Sequence, residues 1–169
     1  NMTRAQAWRF IDVGLRIERA IYLGTLLEST LRLPEPENPS VLEAVLEVAD
    51  SSITYRSRYS LLPQLAAVFD LVLLDDKNPR SVLFQINQLK KHFMHLPADR
   101  GVSGHGSGIL NHCAARLEQT DTRELADFQG GLLESKTGRV IQQTLADLPK
   151  LSDAIAASYF AHSTISRTG

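Results

Sequence analysis

Apolar residues recur at three- and four-residue spacing along most of the chain, and strand-like alternation is nearly absent. The spacing predicts a long first helix over residues 3–33, opened by a capping box between Thr3 and Gln6. Pro34, Pro36 and Pro39 end it, because none can continue a helix interior. Ser40 with Glu43 marks a second helix, from about Val41 to Tyr59, and a third runs from Pro63 to near Asp75. Asn78 is the expected N-cap of a fourth, with Pro79 in its first position. Val82, Ile86, Leu89, Phe93 and Leu96 form that helix's apolar stripe, and Pro97 stops it. The Gly- and Ser-rich stretch of residues 98–108 reads as a flexible loop. Helical spacing resumes from about Gly108 to Thr120, and a short helix follows Asp121 and Glu124. The last helix covers about Thr137 to Ser163, where Pro149 should kink it or split it in two. Helices joined by short connections, about five to seven of them, predict an all-α antiparallel bundle forming one domain over residues 1–169.

Two charges interrupt this pattern. At 100° per residue, Glu18 lies near the middle of an apolar arc with Ile11, Gly14, Leu15, Ile21 and Tyr22. Arg9, Asp12, Arg16 and Arg19 gather on a different side. If the second helix persists to Tyr59, Arg56 shares a face with Leu42, Val45, Leu46, Ala49 and Ile53. A carboxylate turned into a core is costly unless paired. The expectation is therefore a buried Glu18–Arg56 ion pair that sets helix register; the alternative is a ligand-binding or catalytic carboxylate. Arg80 stands in the expected first turn of the fourth helix, where a cation opposes the helix dipole. Asp75, Asp76 or Glu18 could compensate it, or a ligand could.

Composition narrows the classes. A net charge of −1 carries no signature of nucleic acid or of an anionic membrane. The longest apolar stretch, Leu65 to Leu74, is broken by Asp70 and too short to span a bilayer. The single cysteine, Cys113, excludes an intrachain disulfide and fits a reducing compartment, so a cytoplasmic location is expected. The chain opens at Asn1-Met2 directly into a helix, and reads as part of a longer protein. Tyr55-Arg56-Ser57-Arg58-Tyr59 interleaves cations and rings, but tyrosines four apart wrap one helix side. The glycine-rich stretch lacks both the preceding strand and the Gly-Lys-Ser/Thr close of a phosphate loop. His92 and His95 are three apart and read as surface residues; no metal-ligand pattern accompanies them. Neither Cys113 beside His112 nor any serine offers a nucleophile signature.

Several strings together resemble the alpha-E domain family. They are Trp8-Arg9-Phe10-Ile11-Asp12-Val13-Gly14, Arg16-Ile17-Glu18-Arg19-Ala20, Leu46-Glu47-Val48-Ala49-Asp50-Ser51-Ser52 and Thr54-Tyr55-Arg56-Ser57-Arg58-Tyr59. Leu73-Leu74-Asp75, Asn78-Pro79-Arg80-Ser81 and Phe84-Gln85 belong to the same set, which covers residues 3–96 and, by Tyr159-Phe160, the tail. Leu15 departs from the arginine usual after the motif glycine. The family's full domain is longer, with a second Gly-Arg-x-x-Glu-Arg-Ala copy upstream, so the resemblance is to the C-terminal part. It implies a helical accessory domain of a bacterial-type ATP-grasp-associated amide or peptide ligase system. Such a domain would bind substrate or partner, not ATP, and would not be catalytic alone. Arg16, Glu18, Arg19, Arg56, Arg58, Asn78 and Arg80 are the positions expected to bind. ATP and magnesium would belong to an ATP-grasp domain of the same or a neighbouring protein, with no cofactor or metal in this chain. The alternative is a purely structural or homo-oligomerisation module with a buried Glu/Arg network.

Overall fold

The computed structural model describes residues 3–59, 62–96 and 102–165, without the side chains of 102–103 and 158–165. Among the described residues there are seven α-helices, two short 3-10 turns and one π-turn, and no strand. Helix α1 (Arg4–Leu31) carries the expected capping box: Gln6 N donates to Thr3 Oγ1 at 3.2 Å, and Thr3 N donates to Gln6 Oε1 at 3.0 Å. With α5 (Val82–His95), α6 (Val102–Glu118) and α7 (Lys136–Ile165) it closes a four-membered ring of helices. In that ring α1 touches α5 and α7, and α6 touches both of these. Shorter elements pack at one end: α2 (Pro39–Val48), α3 (Ser52–Arg58), and α4 (Leu65–Phe69) continued by the π-turn Asp70–Leu74. The core draws on every layer, with Val13, Leu27, Leu42, Phe69, Ile86 and Leu148 wholly buried.

Three boundaries differ from the sequence reading. The second helix starts earlier, with Asn38 accepting from Ser40 N at 2.9 Å and Pro39 in its first turn, and it ends at Val48. There Asp50 takes a left-handed φ of 50°, Asp50 N donates to Glu47 O and Ser51 N to Leu46 O. These two bonds form a Schellman close, which halts α2 and starts α3 on a new axis. The fourth helix is capped by Ser81, whose Oγ accepts from Phe84 N at 3.0 Å, and not by Asn78. Residues 102–108, expected as loop, belong to α6; the rest of that stretch and Pro97 lie outside the described residues. Glycine allows this because α6 crosses α5 closely: a Cβ on Gly106 would sit 2.2 Å from Phe93 Cε1. Helix α7 is not split at Pro149.

Candidate functional site

Helix α1 is apolar on two arcs. Val13, Ile17, Ala20, Leu23 and Leu27 are buried, and Gly24 meets α7 so closely that a Cβ would lie 2.9 Å from Leu145 Cδ2. The opposite arc carries Trp8, Ile11, Leu15 and Tyr22, exposed by 58%, 64%, 56% and 56%. Glu18 sits among them, exposed, beside a groove of about 500 Å³ whose walls include Ile11, Gly14, Leu15, Ile21 and Ser152. Arg19 is exposed next to it. Among the described residues no ion pair or hydrogen bond engages either side chain. Glu18-Arg19 is the one Glu-Arg dipeptide in the chain.

The expected buried Glu18–Arg56 pair is thus corrected: both residues are exposed and nothing joins them. Two physical causes account for the error. A helical wheel cannot choose between two apolar arcs, and the bundle buries the one with small residues that admit close packing. The break at Asp50 also removes Arg56 from the face of Leu42 and Val45; Ile53, expected beside them, is 83% exposed. Arg56 instead borders a separate cleft of about 430 Å³ with Glu43, Glu47 and Asp50. Among the described residues no buried Glu/Arg network of the expected kind forms.

The other expected binding residues are engaged within the chain. Arg16 Nε meets Asp12 Oδ2 at 2.8 Å, and its Nη1 donates to Gln85 Oε1 at 3.2 Å. Gln85 Nε2 donates onward to Pro79 O at 2.7 Å. His92, expected at the surface, is buried, with Nε2 against Asp12 and its ring edge-on to Trp8 at 5.6 Å. A carboxylate only accepts, so Nε2 carries the proton, and Nδ1 has no partner among the described residues. Burial pushes the Asp12 carboxyl up, but the hydrogen bonds from Arg16 and His92 outweigh it and hold it below the usual range. Sequence reasoning missed this cluster. Its legible trace was spacing: Asp12 and Arg16 lie four apart, Gln85 and His92 seven, so each pair shares one helix face.

A second polar knot joins α2, α3 and the loop before α5. Asn78 is buried; its Nδ2 donates to Leu71 O at 3.0 Å and Ser51 Oγ at 3.3 Å, and its Oδ1 accepts from Arg80 N at 3.1 Å. Arg58 pairs with Asp75, and Arg80 Nη2 meets Asp50 Oδ2 at 2.9 Å. Arg80's partner is therefore Asp50, not Asp75, Asp76 or Glu18. Apart from His92 Nδ1, the buried polar atoms of both knots are paired, and neither knot presents a nucleophile with a base. Cys113 is wholly buried, and burial pushes its thiol up to about 11, a protonated and unreactive state. Among the described residues no three His, Cys, Asp or Glu side chains gather as metal ligands, and no helix is long and apolar enough to cross a membrane.

Uncharacterized proteins of Mycobacterium tuberculosis and Mycobacterium bovis are 30% identical to this chain over 164 residues. That stretch is 95% of the chain but only 18% of each relative. No solved structure matches. The Alpha-E family, described as a predicted alpha-helical domain with a conserved ER motif, matches residues 1–160, a stretch whose one Glu-Arg dipeptide is Glu18-Arg19. The chain belongs to the Alpha-E family.

Proposed function

We propose that this helical domain is the binding module of an ATP-grasp-associated amide or peptide ligase system, engaging a partner or substrate through the Glu18-Arg19 face of α1. One observation carries the reading: the chain's one Glu-Arg dipeptide, which we take as the motif that describes the family, lies on two exposed residues that make no polar contact among the described residues. Residues kept for folding alone are ordinarily buried or bonded, whereas exposed charges kept as a motif point to recognition. Arg16, Arg58, Asn78 and Arg80 are engaged elsewhere in the fold; their partners are Asp12, Asp75, Leu71 and Asp50. Arg56, on its own cleft, is a secondary contact. The ligase context rests on the family resemblance, which assigns ATP and magnesium to the ATP-grasp partner in the cytoplasm.

The test compares ATP-dependent ligation by the ATP-grasp enzyme with wild-type domain and with Glu18→Gln or Arg19→Gln. Both side chains are exposed, so the variants should melt within about 0.5 kcal/mol of wild type. Turnover should fall with either. Undiminished turnover in both would remove the motif from the system's chemistry.

A further inference from the structure

The exposed arc of α1 has a definite geometry. Residues 8, 11, 15, 18 and 22 follow steps of three and four, the spacing of a seam that receives a second helix. Trp8, Ile11, Leu15 and Tyr22 are more than half exposed along it, and Glu18 holds one seam position. Gly14, beside the seam, has nothing within 4 Å of where a Cβ would stand. Glycine weakens a helix interior, and no contact among the described residues makes use of it here. Its effect is the notch between Ile11, Leu15 and Glu18.

We infer that this face is the seat of an amphipathic α-helix from outside these 169 residues, apolar along its own seam and carrying an arginine or lysine opposite Glu18. The inference rests on the binding reading above and names its partner. Charge selects the partner's composition: an apolar helix alone would strand the Glu18 carboxylate on docking, and a cation resolves it. Parallel pairing of two copies would set Glu18 against Glu18, which favours a helix of different sequence. The mycobacterial relatives extend far beyond the matched stretch, which is 18% of their length, and the helix is assigned to such a region of a longer polypeptide.

Two designed peptides test the chemistry, each with leucines along one seam, one with arginine and one with glutamate at the position facing Glu18. Trp8, the only tryptophan, reports binding to the chain by fluorescence. The arginine peptide should bind with a blue shift, and the glutamate peptide about fivefold more weakly. Glu18→Arg should reverse that order, and Gly14→Leu should abolish binding of both. Peptides tiled across the unmatched part of the Mycobacterium tuberculosis relative should include one that competes. Equal binding of the two designed peptides, binding by neither, or a dimer of the chain that buries Trp8 would overturn the helix seat. A tiled set in which nothing competes would overturn its source. Loss of turnover in Glu18→Gln without peptide binding sinks this inference and leaves the ligase reading; binding with unchanged turnover does the reverse.

Discussion

Removing Asp12 should be among the most damaging single changes at a polar residue of this domain. Its carboxylate receives Arg16 Nε at 2.8 Å and His92 Nε2, and thereby ties α1 to α5. In Asp12→Ala, Arg16 keeps Gln85 as a partner, so its loss is partial. His92 fares worse: it is buried, Asp12 is the partner of its Nε2, and its Nδ1 has none among the described residues. An orphaned buried donor costs about 1–3 kcal/mol, and a lost charge-assisted hydrogen bond about 1.5–3 kcal/mol. The Asp12 and Arg16 side chains are 20% and 22% exposed, so solvent screens part of their attraction. The expected loss is about 2–3 kcal/mol, or about 4–12 °C in melting temperature for a chain of this length. The sign with pH follows from the depressed Asp12 carboxyl. Its contribution is complete above the unfolded carboxylate value, about 3.9, and disappears as pH falls through the lower folded value. Urea denaturation of wild type and variant between pH 7 and pH 2 would read both effects. A variant within about 0.5 kcal/mol of wild type at neutral pH, or a gap that fails to shrink in acid, would refute the reasoning.

Three further outcomes are expected. Gly14→Ala should raise stability by about 0.4–1 kcal/mol in chemical denaturation, because the alanine Cβ meets open space in a helix interior; a loss would mean that the glycine is needed within the domain itself. Asn78→Ala should cost about 2 kcal/mol, since the buried Leu71 O and the part-buried Arg80 N–H lose their Asn78 partner, and a melting curve overlaying wild type would deny that role. Cys113 should react with a thiol reagent at pH 8 about a hundredfold more slowly than a free cysteine until denaturant is added, so equal rates in the folded protein would contradict its burial.

The polar knots show why part of the site was illegible. Asp12 and His92 are 80 positions apart, and nothing in either helix's own pattern announces the other. His92 looked like a surface residue because a lone histidine beside an apolar stripe carries no partner with it. Arg80 could be recognised as needing an anion, yet Asp50 became that anion only through the left-handed turn that ends α2. Glycine in residues 98–108 suggested a loop because propensity is local, whereas Gly106 serves a close crossing with Phe93. By contrast, the Thr3–Gln6 box was readable directly, since all its atoms lie within one turn.

By itself the sequence determined the helical class, the long first helix with its cap, the break at Pro34, Pro36 and Pro39, and the family to which the chain belongs. These depend on short-range backbone hydrogen bonding and on hydrophobic period, both written in neighbouring residues. Only the tertiary structure decided which of the two apolar arcs of α1 would face the core. Periodicity is indifferent between them; shape is not, and Ala20 and Gly24 let α1 approach its neighbours where Trp8 and Tyr22 could not. That choice turned Glu18 outward, so a residue expected as a buried brace stands on an exposed face instead.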